Sequence, residues 1–407
     1  MELELYQNML MLIFATTFIM GWVVNKTDFC TMGAVSDWIN MGSTARFKAW
    51  MLAAISALFL VTLLSYTELI DSSLTQNNNT ASPPYNTPTF AWLRYVIGGL
   101  IFGIGMTIGS GCGNKTLVRI GAGNLKSIVI FLMMAFGAYL MMFTDFMHTF
   151  FLQWTSVLDI DLTEYEINSQ DLGSITAQII QTDALNTKII LGFVISVFAL
   201  LYLFKTKEFR KDKHNVLAGL TIGICVAIAW YISSGPMGQE LLEEAEMMDE
   251  IPYAIGAQSL TFVAPSGHFS ALISSEFDST YITFALIAGL GVLLGSFFYA
   301  ILNQSFRIEW FNSIGDFINH IVSGLLMGIG GVLAMGCTIG QGVTGISTLS
   351  LGSLIALGSI VFGSALTMKI RYYQIVYEDE ANLYTATMAS LADLKCIPNK
   401  WRCLDRV

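Results

Sequence analysis

Three of the six cysteines lie in glycine-rich segments that interrupt long apolar runs. They are Cys30 in DFCTMGAVSD, Cys112 in GSGCGNKT and Cys337 in MGCTIGQG. A neutral thiol is a weak hydrogen-bond donor, so it can contact a soft anionic sulfur without adding like charge. We expect these thiols to stay protonated, because an apolar site disfavours the thiolate. Such weak successive contacts suit the passage of a polarizable anion, since tight binding would trap it.

Glycines flank the second and third of these cysteines. They are Gly111, Gly113, Gly336 and Gly340. Glycine permits tight turns and close backbone approach. A short helix that begins at such a point presents free N–H groups and a positive dipole end, which suits an anion. We therefore expect backbone N–H groups of these segments to bind the oxygens of an anion.

The composition predicts the class of protein that must hold these segments. Hydrophobic residues make up 54% of the 407 residues and charged residues only 12%, whereas a soluble domain carries about 25% charged residues. This favours an all-α polytopic membrane protein. The cysteines are too sparse for a disulfide framework, and the net charge of −10 makes nucleic acid an unsuitable partner.

Uncharged runs predict nine membrane crossings. Seven come from Leu5–Val24, Ala49–Thr67, Tyr95–Asn114, Ser127–Thr144, Ile189–Phe204, His214–Gln239 and Ser279–Phe306, and Phe317–Met368 is long enough for two. Two further apolar segments, Asp28–Ser43 and Ile251–Ser275, are too broken to span. We interpret them as short re-entrant helices, which survive at membrane depth only where protein or a water-filled cavity satisfies the backbone.

The charge distribution predicts the orientation. With the N-terminus outside and the C-terminus in the cytoplasm, all but two of the 20 Lys and Arg residues fall on the inside. The two exceptions are Arg94 and Lys188, at the outer ends of spans. The first span has no basic residues before it, so we expect it to be retained and not cleaved as a signal peptide.

The chain contains an internal repeat. GLIFGIGMTIGSGC (Gly99–Cys112) aligns with GLLMGIGGVLAMGC (Gly324–Cys337), and the two copies should end on opposite sides of the membrane. A single membrane cysteine more often only packs, but the matched positions of Cys112 and Cys337 favour a function. We predict a first repeat over 1–147, a linker with one span over 148–213, an inverted repeat over 214–370 and a cytoplasmic tail over 371–407. Inverted repeats are typical of secondary transporters, with the substrate site near the midplane.

The three cysteine segments resemble the signatures of the YeeE/YedE family of sulfur-compound membrane proteins, whose characterised members take up thiosulfate. The matching segments are KTDFCTMGAVSD, GSGCGNKTLVRIGAGN and GCTIGQGVTG, and the resemblance runs from about Trp22 to Met368. It implies nine spans, short re-entrant helices, inverted pseudo-symmetry and a thiosulfate path along Cys30, Cys112 and Cys337. Other members of the family are linked to selenium metabolism.

Two further features leave alternatives open. His268 in VAPSGHFSA is either a hydrogen-bonded structural histidine or a substrate contact. The tail Arg371–Val407, with Cys396 and Cys403, is expected to be mobile and solvated. The alternatives for the tail are a redox pair and a docking point for a soluble cytoplasmic sulfur carrier. The sequence shows no metal cluster, phosphate loop or catalytic set, so we expect no cofactor and no bound metal.

The resulting hypothesis is an importer of thiosulfate or a related sulfur oxyanion in a prokaryotic plasma (inner) membrane, and not an enzyme. Its partners would be the small anion and the lipid bilayer. One alternative is a membrane sulfurtransferase or thiol oxidoreductase in which the cysteines exchange sulfur covalently. Another is a transporter of a selenium compound.

Overall fold

The computed structural model describes residues 2–245, 247, 251–378 and 381–404. Within these residues, nine helical stretches are long and apolar enough to cross a membrane. They are Glu4–Met41, Ala45–Tyr66, Trp92–Gly121, Lys126–Phe143, Ala184–Lys205, Lys213–Ser234, Phe284–Leu302, Ile314–Leu333 and Leu351–Tyr377. The predicted all-α polytopic membrane fold and its number of crossings are confirmed.

The helices follow the apolar runs of the sequence. Up to the middle of the chain they are α1 (Glu2–Thr27), α2 (Thr31–Met41), α3 (Ala45–Tyr66), α4 (Trp92–Ile108), α5 (Gly113–Gly121), α6 (Lys126–Phe143), α7 (Gln153–Thr155), α8 (Leu172–Ile180), α9 (Ala184–Lys205) and α10 (Lys207–Lys211). The later ones are α11 (Lys213–Ser234), α12 (Pro236–Ala245), α13 (Ala264–Ser274), α14 (Phe284–Leu302), α15 (Ile314–Leu333), α16 (Leu351–Tyr377) and α17 (Leu383–Asp393).

Short elements fill the connections. Two-residue strands, β1 (Thr89–Phe90) and β2 (Ile160–Asp161), pair antiparallel. Single 3₁₀ turns lie at Ser72–Gln76, Ser156–Leu158, Leu162–Tyr165, Ser279–Tyr281, Ile346–Thr348 and Asn399–Trp401, and π turns at His148–Leu152 and Gly340–Gly345.

The long helices pack in crossed pairs. α1 packs on α14, α3 on α11, α4 on α16 and α6 on α15, while α4 and α15 contact each other at the centre. Small residues let the backbones approach: a Cβ on Gly295 would overlap the carbonyl of Phe18, and one on Gly21 would overlap Val292. Close approach at glycine is how helices associate where lipid removes the hydrophobic driving force.

α9 stands apart from this bundle. Only 17% of its most apolar stretch is buried, compared with 61% for α11. The exposed apolar surface of α9 fits a span that faces lipid.

The broken segments form short helices, as expected. α2 lies within Asp28–Ser43 and α13 within Ile251–Ser275. The third crossing is more interrupted than its continuous uncharged run suggests. α4 ends at Ile108 and α5 begins at Gly113, because Ser110 adopts a left-handed backbone with φ of 59° between two glycines.

The expectation of a mobile tail is wrong for the described residues 381–404. α17 packs on the end of α16, where Ala386 and Ala389 are fully buried against Tyr373. Asp393 accepts hydrogen bonds from Tyr373 (2.8 Å) and from Arg402. Chain termini are often mobile, but these tertiary contacts order the segment. Residues 379–380 and 405–407 of the predicted tail lie outside the described residues.

Candidate functional site

Cys30 and Cys112 are neighbours in the buried interior. Each is the residue that precedes a short helix, Cys30 for α2 and Cys112 for α5, and both have extended backbones. Their exposed fractions are 8% and 2%, and the two thiols interact directly with each other. Backbone N–H groups at the starts of the two short helices face these thiols: that of Gly33 interacts with Cys30, and that of Lys115 interacts with Cys112.

Cys337 lies in a cradle of uncharged donors. The backbone N–H groups of Phe262 and Gly340 donate to its Sγ over 3.3 Å and 3.4 Å. The hydroxyl of Thr261 is a third donor at 3.9 Å. The side chain is completely buried. These contacts fix the sulfur at the junction of the segment before α13 and the π turn that follows α15.

Short connections join Cys337 to Cys112. A Cβ on Gly113 would lie 2.7 Å from the carbonyl oxygen of Phe262, the residue whose N–H binds Cys337. The hydroxyl of Thr338 interacts with the Cys112 thiol and makes no hydrogen bond of normal length to any described residue. The structure therefore brings the three cysteines named by the sequence into one buried region.

A network of ion pairs lies next to the Cys30–Cys112 pair. Asp28 forms ion pairs with Lys115 and with Arg46, whose Nη2 is 3.3 Å from its Oδ2. Arg46 also pairs with Asp37 at 3.3 Å. Lys115 and Arg119 both act on Cys30 electrostatically. Three cations against two carboxylates leave this end of the site positive.

The four predicted glycines lie where side chains would intrude. A Cβ on Gly111 would lie 3.4 Å from the Arg119 guanidinium, and one on Gly340 would lie 2.7 Å from the Thr261 hydroxyl. One on Gly336 would be 3.3 Å from the backbone nitrogen of Gln341. Together with Gly113, these glycines let backbone N–H groups and carbonyls approach the thiols closely.

His268 has a structural partner and also borders a cavity. It is 2% exposed, and its Nδ1 is 2.6 Å from the hydroxyl of Thr283. Its ring packs edge-on against Tyr253, with 5.2 Å between centroids. Both readings of the sequence thus have an observation in their favour.

The cavity beside His268, called here the methionine cavity, has a volume of about 420 Å³. Its lining includes four methionines, one arginine and one histidine: Met141, Met142, Met147, Met335, Arg94 and His268. Its wall also contains Thr261, Val263 and Gly336, which adjoin Cys337. The cavity therefore reaches the cradle of that thiol.

A second cavity, of about 390 Å³, lies on the α2 side of the protein. Met32 of α2, Thr107 of α4 and Met368, Lys369 and Arg371 of α16 line it. Lys369 and Arg371 in this cavity, like Arg94 in the methionine cavity, carry positive charge that would attract an anion. Met32 of this lining lies two residues after Cys30, and Gly336 of the methionine cavity lies next to Cys337.

Several contacts escaped sequence reasoning. Thr261, the Phe262 N–H and Thr338 hold or border the thiols, and Asp28 pairs with Lys115 across 87 positions of the chain. The signal for Phe262 was present: Asp28-Phe29-Cys30 and Thr261-Phe262-Val263 share a phenylalanine just before a short helix. Among the described residues no group of three or more His, Cys, Asp or Glu side chains could hold a metal.

Broken helices that meet inside a bundle of spanning helices are features of the membrane transporter class. Comparison with known proteins narrows this class. The sequence profile of a family described as sulphur transport matches residues 26–366. The chain is 24% identical to the thiosulfate transporter TsuA of Spirochaeta thermophila over 352 residues, which cover 85% of this chain and 94% of that protein.

A second relative is the thiosulfate transporter TsuA of Escherichia coli, 23% identical over 366 residues that cover 85% of this chain and 90% of that one. The profile match spans most of the protein and includes all three cysteine segments. The chain belongs to the sulphur transport family, the YeeE/YedE family that its motifs resemble.

Proposed function

We propose that the protein imports thiosulfate, or a closely related sulfur oxyanion, along a path formed by Cys337, Cys112 and Cys30 between two inverted repeats. The observation that carries the proposal is the meeting of Cys112 and Cys337 around Phe262 and Thr338. The thiosulfate transporters among its relatives favour the same substrate.

The helix contacts support the inverted repeats over 1–147 and 214–370. If α1, α3, α4 and α6 correspond to α11, α14, α15 and α16, each crossed pair has a counterpart. The pair α1 with α14 matches α11 with α3, and α4 with α16 matches α15 with α6. The contacts of α4 with α15 and of α1 with α11 would then lie on the pseudo-symmetry axis.

The backbone next to the cysteines repeats in the same way. Ser110 and Met335, which hold equivalent positions before Gly-Cys, both have left-handed backbones, with φ of 59° and 57°. The N–H groups of Gly111 and Gly336 both bond a carbonyl five residues earlier. Such matched turns are expected where two halves descend from one fold.

The path begins at the methionine cavity on the outside and ends at the basic residues in the cytoplasm. The positive-inside distribution supports this orientation: Lys115, Arg119 and Arg46 lie beyond the Cys30–Cys112 pair, and Lys369 and Arg371 line the second cavity. The membrane would be the prokaryotic plasma membrane. A soluble sulfur carrier could receive the product at the ordered tail, near the exposed Cys396 and Cys403.

Transport needs no covalent step. The backbone N–H groups of the short helices would bind the sulfonate oxygens, and neutral thiols would contact the terminal sulfur. Thiosulfate is a dianion, and each charge meets about 2.3 kcal/mol per 100 mV when it enters a negative cytoplasm. Net uptake therefore requires coupling to a cation or rapid consumption inside.

One observation favours the sulfurtransferase alternative. The direct interaction of Cys30 with Cys112 resembles the paired thiols of sulfur-exchanging proteins. In that reaction a thiolate attacks the terminal sulfur of thiosulfate, the S–S bond breaks, sulfite leaves with the electron pair, and a persulfide remains on the protein. Modified Cys112 or Cys337 after exposure to thiosulfate would favour this alternative.

Growth of cells that lack their own sulfur importers tests the proposal. Cells that express the protein should grow on thiosulfate as sole sulfur source, whereas cells with an empty vector should not. Failure to grow, with the protein present in the membrane, would contradict the proposal. Accumulation of labelled selenite or selenosulfate without any thiosulfate uptake would identify a selenium transporter instead.

A further inference from the structure

Arg94 borders two adjoining spaces. The methionine cavity has a neighbour of about 720 Å³, which the polar residues Gln76, Asn77 and Asn168 help to line. Three residues, Arg94, Asn78 and Met335, line both spaces. Arg94 therefore lies where the larger space adjoins the cavity that reaches Cys337.

The guanidinium has unused hydrogen-bonding capacity. Its Nε is buried and makes no hydrogen bond to any described residue. No carboxylate of the described residues lies within ion-pair distance of it, unlike Lys188, which pairs with Asp171. A buried donor without a partner is costly, so a ligand that accepts from it would be bound favourably.

The backbone adds to this preference for an anion. Arg94 is the third residue of α4, and no side chain caps the start of this helix. The positive end of the helix dipole therefore lies at the same point as the side-chain charge. Arginine presents a planar fork of donors that fits two oxygens of a tetrahedral oxyanion.

Asp159 supplies the opposing charge. It acts electrostatically on Arg94 but forms no ion pair of normal length with it, and its Oδ1 is also buried without a partner. The Trp92 indole donates to the Leu158 carbonyl over 3.0 Å, which holds the loop of Asp159 next to the start of α4. An anion at Arg94 must thus compete with a nearby carboxylate.

We infer that Arg94 forms an entry site for the sulfonate end of a tetrahedral sulfur oxyanion, at the neck between the two outer spaces. The soft end of the same ion then faces the methionine side chains and the cradle of Cys337. Asp159 weakens this binding, so that the ion is released inward. This inference rests on the proposed import function and adds a recognition step ahead of the thiols.

Uptake kinetics with labelled thiosulfate in proteoliposomes test the entry site. Arg94→Gln should raise the KM for uptake about tenfold or more, because a charge-assisted hydrogen bond is lost. The KM of Arg94→Lys should lie between the values of the parent protein and of Arg94→Gln. Asp159→Asn should lower the KM about twofold to threefold. Arg307→Gln, which removes an exposed arginine elsewhere, is the control for loss of one charge.

Opposite shifts of KM for Arg94→Gln and Asp159→Asn would not arise from a purely structural role. Unchanged KM in both variants, with normal uptake by the parent protein, would overturn the entry site and leave the import function intact. If the parent protein takes up no thiosulfate, the import proposal fails, and titration of thiosulfate onto the purified protein decides the inference. Equal affinity of parent and Arg94→Gln, or no binding at all, would overturn it.

Discussion

Cys337 and the Cys30–Cys112 pair lie in the same buried region, yet their partners differ in kind. Cys337 has three uncharged donors, two of them backbone N–H groups of Phe262 and Gly340. In the Cys30–Cys112 pair, each thiol has the other thiol as a partner, and a network of ion pairs lies beside them. A site held by neutral donors fixes one sulfur in place, whereas a pair beside cations attracts negative charge.

Under the proposed function, this difference lets the two halves serve the two ends of one path. On the proposed path, a dianion that leaves the neutral cradle would find a more positive environment at the paired thiols. The matched Gly-Cys turns then supply the shape in both halves, and residues outside them, such as Asp28 and Arg46, supply the difference in charge.

Removal of the matched cysteines should have the largest effect. Cys112→Ala and Cys337→Ala should each lower thiosulfate uptake at least tenfold, because each deletes a contact at the narrow meeting point of the two halves. The matched control is Cys225→Ala, which removes a buried thiol that lies in the hydrophobic core and donates to the carbonyl of Thr16 over 3.6 Å. Uptake rates of labelled thiosulfate at equal protein levels check this prediction.

If Cys30→Ala proves as damaging as Cys337→Ala, the paired thiol is as necessary as the cradled one. A Cys30→Ala variant with normal uptake would restrict the path to the matched cysteines. Normal uptake by both matched variants would remove the thiol path altogether.

A methyl group at Gly113 should have the next largest effect. Gly113→Ala places a Cβ 2.7 Å from the Phe262 carbonyl, so the segment that cradles Cys337 must shift. We expect a loss of about 1–3 kcal/mol in stability and uptake lowered several-fold. Thermal unfolding in detergent and uptake assays measure the two quantities.

The same substitution at Gly358 provides the comparison, because a Cβ there meets nothing within 4 Å. Gly358→Ala should unfold at or slightly above the temperature of the parent protein, since alanine favours the helix. Equal unfolding temperatures and equal uptake for the two variants would show that the close approach of Gly113 to Phe262 affects neither stability nor transport.

Substitution of Asp171 should have the smallest effect, a loss of stability that depends on pH. Burial opposes its ionisation, but the charge of Lys188 and hydrogen bonds from Ser169 and Ser174 outweigh it, so the pKa of the carboxyl lies below its usual value. The neighbouring Leu172 N–H bonds the Leu349 carbonyl over 3.0 Å, which anchors the turn that follows the Cys337 segment.

A lowered pKa means that Asp171 stabilises the fold fully above the unfolded-state pKa of about 3.9 and loses this contribution as the pH falls through the folded value. Asp171→Asn should therefore lower the free energy of unfolding by about 1–2 kcal/mol at pH 7. The difference in this free energy from the parent protein should shrink below about pH 4. A difference that stays constant with pH would contradict the ionic contribution of Asp171.

The sequence predicts the spans well because the length of an uncharged run decides whether it can cross a lipid bilayer. It also singles out Cys112 and Cys337, which end the two aligned segments, and their role in transport stays a prediction. It could not find the Asp28–Arg46 ion pair or the Thr338 contact, because these join separate segments through packing. The tail was missed for the same reason: Ala386 and Ala389 gain their burial only from α16.

The central claim is that intact thiosulfate passes the thiols without covalent exchange. Uptake into proteoliposomes of thiosulfate labelled separately at its central and terminal sulfurs tests this claim directly. The account predicts that both labels enter in equal amounts and that Cys30, Cys112 and Cys337 stay unmodified by mass spectrometry. Terminal label retained on a cysteine, with sulfite left outside the vesicles, would contradict it.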